Sequence, residues 1–378
     1  MDQNEHPILD EAHNNIVLFT PHIPKNAEKY VAATLQSRWL GQGPQVEKFE
    51  NEFLRLVDAR VGIAVGSGTD ALHLSYILAG IKAGDEVITP VFTCTATNIP
   101  LLYLGAKIVF ADIDPLTMNI DPKCIENLIT KKTKAIVCVH YGGLPCDMKE
   151  IKEIAEKYNL VVIEDAAHAV GAEYMNQLVG EISDFTMFSF QAIKHITTGD
   201  GGFLAFKDSA ILERAKQLRW FGIDRTAKQL GIWENDIKDV GFKYQMTDLS
   251  ASLGLAGIEE FKETLNIRRN LYLHYNQLLT EIDSVQIIGK EDSIRKSAAW
   301  LYTICVEGRK NLQEKLWDNG IESRQVHYRN DRYSIFKESK SHFPVMDKME
   351  DDYLVLPLHT KMNIRDVERI VEVIDSGW

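Results

Sequence analysis

Basic surface is what this sequence lacks most plainly. The chain of 378 residues carries a formal net charge of −12, and its densest basic run is only Lys131-Lys132-Thr133-Lys134. Without a basic stripe to offset that charge, nucleic acid is excluded as the main partner. The run itself reads as a solvated helix end ahead of a strand. Cysteine is also scarce: there are five, an odd number, and none falls at a metal-ligand spacing. Cys138 and Cys146 form no CxxC pair, so no zinc site or disulfide framework is expected, and no metal. No apolar run approaches the length needed to span a bilayer. Met1-Asp2-Gln3-Asn4-Glu5-His6 is polar and acidic, unlike a signal peptide. Internal repeats and low-complexity tracts are missing as well. These absences lead to the expectation of a soluble, cytoplasmic, globular protein that acts away from membranes.

What is present is an alternation of short apolar runs with amphipathic helices. Val61 to Val65, Glu86 to Pro90, Ala106 to Phe110, Ala135 to Val139, Leu160 to Asp165, Asp184 to Phe190 and Phe203 to Phe206 read as strands. Being apolar on both faces and separated by helices, they imply a mostly parallel sheet covered on both sides, an α/β fold. Before them, Val46, Phe49, Phe53 and Leu54, with Val57 beyond, share a helical face. Met148, Ile151, Ala155 and Tyr158 mark another helix. After Asp208 the pattern changes to a helix around 211–221, a polar loop over 224–238, and two long helical patterns, 247–264 and 267–282. From Val285 a smaller α+β unit is expected. It closes on a helix with Ile364, Val367, Ile370, Val371 and Ile374 on one face, capped by Asn363 with Asp366 three residues on. The chain is long enough for two domains. The division is expected within the long helices, giving 1–255, with an N-terminal arm, and 256–378.

The segment from Ser189 to Gly202 organises the rest. Lys194 lies there in a loop between two strands, among apolar and small residues, and glycines follow at once. Partial desolvation lowers an ammonium pKa, and a neutral amine is a nucleophile able to form a Schiff base. Upstream, Asp165 of Glu164-Asp165-Ala166-Ala167-His168 stands at a strand terminus. A carboxylate so placed and a lysine in a later loop are the two protein groups that pyridoxal phosphate (PLP) needs. Gly66-Ser67-Gly68-Thr69-Asp70-Ala71 follows a strand and opens a helix. Its backbone N–H groups and the Ser67 and Thr69 hydroxyls form a phosphate cup, to which Ser189 adds a hydroxyl. The same string fits G-x-G-x-x-A, but a dinucleotide fold wants an acid at the end of the next strand. Here Asp85 and Glu86 precede that strand, which ends in Thr89-Pro90.

Read in order, these stretches resemble the DegT/DnrJ/EryC1/StrS family of PLP-dependent nucleotide-sugar aminotransferases, with the aspartate aminotransferase (fold type I) architecture. The resemblance runs from Trp39-Leu40-Gly41-Gln42-Gly43-Pro44 and Phe49-Glu50 through Ser67-Gly68-Thr69-Asp70-Ala71-Leu72 and Gly84-Asp85-Glu86-Val87. It continues in Glu164 to His168, Ser189 to Lys194 and Gly199-Asp200-Gly201-Gly202, and closes on Leu356-Pro357-Leu358-His359. It implies a three-layer transferase fold with a smaller C-terminal α+β domain.

It further implies that Lys194 bonds PLP, that Asp165 pairs with the pyridine nitrogen, and that His168 lies near the phenolic oxygen. Gly68, Thr69 and Ser189 would hold the phosphate. Some relatives carry histidine in place of the lysine and catalyse dehydration; the lysine here points to amino transfer. Where the family often places an aromatic over the ring, Cys94 stands. In Gly241 to Asp248, Lys243 replaces an Asn that reaches the partner subunit's phosphate in relatives, and Gln245 replaces an Arg. The implied partners are L-glutamate, a nucleotide-linked keto-6-deoxyhexose aminated at C-3 or C-4, and a second copy of the chain in a homodimer with shared active sites. His327, Arg329 and Asn330 are candidates for contacts to the nucleotide or sugar. Two other readings stay open at this point: a non-catalytic or regulatory member that binds PLP or a nucleotide sugar, and an NAD-dependent enzyme.

Overall fold

In the computed structural model, which describes residues 9 and 14–378 apart from 181, 235, 340 and 341, seven of the apolar runs form one sheet. Its strands are β1 (Gly62–Val65), β2 (Glu86–Pro90), β3 (Lys107–Ala111), β4 (Thr133–Val139), β5 (Val161–Asp165), β6 (Phe185–Ser189) and β7 (Gly202–Phe206). Their order is β1-β7-β6-β5-β4-β2-β3. Only β7 runs against its neighbours, pairing antiparallel with β1 and β6; the pairs from β6 across to β3 are parallel. Every residue of β1, β2 and β7 is buried, as a sheet covered on both faces requires. The polar N-terminus Met1 to His6 lies outside the described residues.

One face of the sheet packs Ile63, Val65, Leu72, Val87 and Met187 into a shared core. On the other face Phe53 is at the centre of an aromatic knot. Phe188 and Phe190 meet its ring edge-on, with centroids 5.2 and 4.9 Å away, and Phe203 packs at 4.9 Å. Edge-to-face packing suits the quadrupoles of the rings and adds to the area they bury. Phe53 belongs to the helix Pro44–Leu56, whose Val46 and Phe49 are buried with it, and Val57 follows as the buried C-cap residue. The start of that helix is held from afar: the Asp248 carboxylate accepts from the N–H groups of Gly43, Gln45 and Val46. Three orphan donors of a helix N-terminus are thus satisfied by one anion.

Asp248 opens the helix Asp248–Leu279, a single element of 32 residues where the sequence suggests two. Thr264 and Ile267 near the expected break lower helix propensity by only about 0.7 kcal/mol each or less. Packing along the whole length outweighs that: Leu255, Phe261 and Leu265 join the core of the large sheet, and Leu271, Tyr272, Tyr275 and Leu279 join that of a small one. The small sheet has β8 (Gln286–Ile288), β9 (Tyr302–Cys305) and β10 (Tyr353–Leu356), in order β8-β9-β10. The expected division at 255/256 falls inside this unbroken helix.

The last helix, Ile364–Asp375, carries the expected Asn363 N-cap, with Asp366 completing a capping box. The Asn363 side chain accepts from Arg365 N, and Asp366 accepts from Asn363 N. Val367, Ile370, Val371 and Ile374 are buried; Ile364, expected on the same face, sits in the first turn and is exposed. Tyr158 is likewise exposed at the end of Met148–Tyr158. The expected helix over 211–221 is shorter, Leu212–Leu218, and the polar loop after it contains the helix Arg225–Gln229.

Candidate active site

Lys194, Asp165, Ser67, Gly68, Thr69, Ser189, His168, Cys94 and His327 all line one cavity of ≈ 370 Å³. It opens beyond the C-terminal ends of β1, β5 and β6, where ligands gather in α/β sheets. Each side chain arrives by a different route. β1 ends at Val65, and the chain turns through Gly66 into the helix Gly68–Leu78. Ser67 is its N-cap, its hydroxyl accepting from Asp70 N at 3.1 Å. That leaves the N–H groups of the first turn to face an anion. The floor of this cup admits no side chain. A Cβ on Gly68 would meet Met187 Sδ and Ser189 Cβ at 3.1 Å, and one on Gly202 would fall 2.3 Å from Ser67 O. Glycine at both positions lets β7 and the cup come together, with Ser189 at the rim.

Asp165 ends β5 and is 4% exposed. Its Oδ2 accepts from the Thr97 hydroxyl at 2.7 Å and its Oδ1 from Ala167 N at 3.1 Å. Burial raises its pKa, while those two hydrogen bonds and the Lys194 ammonium favour the carboxylate. Thr97 is itself fixed, its hydroxyl against that of Thr93 at 2.9 Å and its carbonyl accepting from Tyr76.

Lys194 is half-buried and lines the cavity. Burial lowers its pKa to about 7 against the pull of Asp165, so the amine is poised to be neutral near physiological pH. Its Nζ lies 3.5 Å from the centroid of the Trp300 ring. Trp300 stacks on His168 at 3.6 Å, and His168 is nearly parallel to His327, 5.4 Å away. Phe19 also stacks on Trp300, with centroids 5.9 Å apart, so four rings pack in series. Burial lowers the pKa of both histidines and keeps them neutral. The Nδ1 of His168 and the Nε2 of His327 are buried without a protein partner. Such orphaned atoms are costly unless something bound satisfies them. His327 also holds a left-handed backbone, φ 71°, a strain found chiefly where a side chain must be aimed.

These residues fit PLP. A carboxylate waits for a pyridinium, an anion cup for a phosphate, an unpartnered imidazole nitrogen for a phenolic oxygen, and an amine of lowered pKa for an aldehyde. Cys94 faces the same cavity as the exposed N-cap residue of Thr95–Tyr103.

Three expected site residues lie elsewhere. Arg329 is 2% exposed and engaged by carboxylates: Asp331 holds Nε and Nη2, and Asp347 and Glu350 share Nη1. Asn330 is fully buried, donating to Thr93 O and Tyr328 O and accepting from Asn98. Asn330 acts on the wall behind the cavity, clamping the segment that carries His327 to the one that carries Cys94 and Thr97, while Arg329 ties the His327 segment to Asp347 and Glu350. Lys243 is exposed, its Nζ 5.2 Å from the Phe221 ring centroid, and lines no part of the cavity in its own chain. Conversely, no role is assigned from the sequence to Phe19, Gln191, Trp300 and Val326, which also line the cavity, or to Thr97, which donates to Asp165. Thr97 had the one available signal, a hydroxyl in the first turn of a helix that starts where a parallel strand ends.

Among the described residues no group of three or more His, Cys, Asp or Glu is arranged to hold a metal. No helix there is long and apolar enough to cross a membrane.

Comparison with known proteins agrees with this geometry. The model of the DegT/DnrJ/EryC1/StrS aminotransferase family matches residues 21–375. The spore coat polysaccharide biosynthesis protein SpsC of Bacillus subtilis is 35% identical over 370 residues, 94% of this chain and 95% of the relative. GDP-perosamine synthase of Escherichia coli O157:H7 is 33% identical over 367 residues, 96% and 98% of the two chains. The crystal structure of the sugar aminotransferase CalS13 from Micromonospora echinospora superposes with a TM-score of 0.92 at 30% identity, over 96% of this chain and 100% of that one. Matched along almost its entire length, this chain belongs to the DegT/DnrJ/EryC1/StrS aminotransferase family and is a PLP-dependent aminotransferase of fold type I.

Proposed function

We propose that this enzyme moves the amino group of L-glutamate onto the C-3 or C-4 ketone of a nucleotide-linked keto-6-deoxyhexose, as a step in making an amino sugar for a polysaccharide. The observation that carries the reading is the convergence of Lys194, Asp165 and the Gly68 cup on one cavity beside the unpartnered His327. The names of two relatives, GDP-perosamine synthase and a polysaccharide biosynthesis protein, point to the substrate class. PLP, when bound, supplies the electron sink for the carbon that loses its proton. Asp165, held as a carboxylate by Thr97, keeps a proton on the ring nitrogen. The cup binds the phosphate and fixes register. Lys194 would bond the cofactor at Nζ and, when free, would carry the donor α-proton there, as base and then as acid. His327 Nε2, buried without a protein partner, would meet a polar group of the incoming sugar. Residues 1–255 would then bind the cofactor, while 256–378 contribute Trp300 and His327 as a wall on the substrate side.

The test is mass spectrometry of products from a panel of nucleotide-linked keto-sugars incubated with L-glutamate. One member should gain an amine while 2-oxoglutarate forms; amination of free keto acids only would contradict the proposal.

The Thr97 hydroxyl has a measurable consequence. It is the largest of the influences lowering the Asp165 pKa against the effect of burial. Thr97→Val removes it, so the Asp165 pKa should rise. The working form is the carboxylate, whose contribution is lost as pH falls through that pKa. The acid limb of the kcat/KM profile should therefore move to higher pH in Thr97→Val. An unmoved limb would mean that Asp165 does not set it.

The enzyme is further proposed to act as a homodimer with each site built from two chains. Lys243 is an exposed cation in the segment that relatives send across the interface, and a two-fold interface would complete both sites at once. Mixing inactive Lys194→Ala chains with inactive Lys243→Glu chains should restore activity on subunit exchange, because one site of each heterodimer carries neither lesion. Exchange without recovery, or a fully active monomer in sedimentation, would refute sharing.

A further inference from the structure

The ring beneath Lys194 is held with unusual thoroughness. Trp300 is 2% exposed. Its Nε1–H donates to Ile193 O at 3.2 Å, tying the indole to the residue next to the lysine. Its own N–H, and that of Leu301, donate to Gly142 O. Ala299 just before it takes a left-handed turn, φ 53°, with its N–H on the Ser297 hydroxyl.

Two neighbouring arginines of the helix Asp248–Leu279 grip the same segment. Arg269 Nε donates to Ser297 O at 2.8 Å. Arg268, itself 3% exposed, donates from Nη1 to Leu358 O at 2.8 Å and to Trp300 O at 3.4 Å. Among the described residues no carboxylate offsets the Arg268 charge, and its Nε is without a partner. A buried cation is ordinarily paired, because stripping water from an unpaired charge is expensive. Here two carbonyls serve instead, and the uncompensated positive charge remains behind the Trp300 wall. Burial lowers even the pKa of this guanidinium, to about 10.

We infer that Trp300 is the positioning residue for the free amine of Lys194, seating Nζ on its ring face whenever the lysine is not bonded to the cofactor, and that Arg268 fixes the seat from behind. The inference rests on the reading of Lys194 as the lysine that bonds PLP. In amino transfer that amine is released, must collect a proton from one carbon, and must deliver it to another. A four-carbon stem left free would spend its time in many rotamers. An indole face within 3.5 Å gives the released amine one place to be, and favours its protonated form through the ring quadrupole. Arg268 acts in the opposite sense, as a like charge. The other titratable groups that face Nζ are Asp165 and Cys94, with the neutral His168, His195 and His327 around them.

Two substitutions therefore shift the amine in opposite directions, which a purely structural role would not do. The experiment is competitive acylation of the cofactor-free protein across a pH series, with Lys194 modification read by mass spectrometry. The wild-type amine should titrate at about 7. In Trp300→Leu, which keeps an apolar wall beside the amine but removes the ring face, the titration should fall by about one pH unit, a tenfold change in the ratio of neutral to protonated amine at fixed pH, as befits loss of a desolvated cation–π contact. In Trp300→Phe the fall should be smaller. In Arg268→Met the titration should rise, and Arg268→Lys should restore the wild-type value. Circular dichroism and thermal melts confine the comparison to folded variants, and Trp300→Phe with Arg268→Lys, both conservative, keep it decisive if the larger changes unfold the chain. Unchanged titration in folded variants, or movement of both series in one direction, overturns the inference. Adding PLP should protect Lys194 from acylation in the wild type. Absence of protection would overturn the underlying assignment instead, so the two failures are distinguishable.

Discussion

Lys194→Ala should abolish both covalent attachment of PLP and transamination in a chain that still folds. The side chain is half-buried and lines the cavity, so truncation removes chemistry rather than a piece of core. Two functions go at once: the bond that anchors the cofactor and the proton carrier at Nζ. Loss of a single acid–base group typically lowers a rate by about 10²–10⁴-fold. Losing the anchor as well should carry the decrease beyond the upper end of that range. Steady-state kinetics with L-glutamate as donor, alongside the absorbance of the PLP-loaded protein, would check it. A variant with wild-type absorbance and appreciable turnover would show that another lysine does this work.

Asp165→Asn should bind PLP yet transaminate slowly, by about 10²–10³-fold, the scale on which removing one preorganised charge-stabilising group acts. The carboxylate is almost wholly buried, and Thr97 and Ala167 donate to it. An amide of the same shape can keep one of those bonds but cannot hold a proton on the ring nitrogen. The decrease should therefore appear in kcat, with binding of the cofactor retained. Because an Asp165 that is neutralised by protonation is equivalent to the amide, wild-type activity should also disappear at acid pH while Asp165→Asn shows no such limb. Near-normal turnover in Asp165→Asn would move the role of nitrogen partner to another residue.

Both residues are legible in the sequence for the same reason. A strand of a parallel sheet announces itself as a short apolar run, and whatever polar residue ends it at the C-terminal edge must face the ligand crevice. Asp165 follows Val161 to Glu164, and Lys194 follows the run that ends at Ser189, with glycines fixing the return. The phosphate cup is visible on similar grounds, since Ser67 caps a helix that begins with glycine directly after a strand.

Trp300 could not be found this way. It belongs to a part of the chain more than a hundred residues from Lys194, and it reaches the lysine only because Arg268, Arg269 and Gly142 hold its segment against the large sheet. Nothing local in Ser297 to Leu301 encodes that docking. Arg329 illustrates the converse. An arginine beside a histidine and an asparagine resembles a substrate contact in sequence, but Asp347 and Glu350, distant along the chain, fold back and neutralise it. The single long helix was obscured by similar means, because the contacts that carry it past Thr264 and Ile267 come from two different cores.

The central claim is that the cavity at the ends of β1, β5 and β6 holds PLP on Lys194. The direct measurement is borohydride reduction of the PLP-loaded enzyme followed by proteolysis and mass mapping of the phosphopyridoxyl group. The account predicts a single modified peptide, with the group on Lys194. Modification of a different lysine, or no stable adduct from an enzyme that turns over, would contradict it.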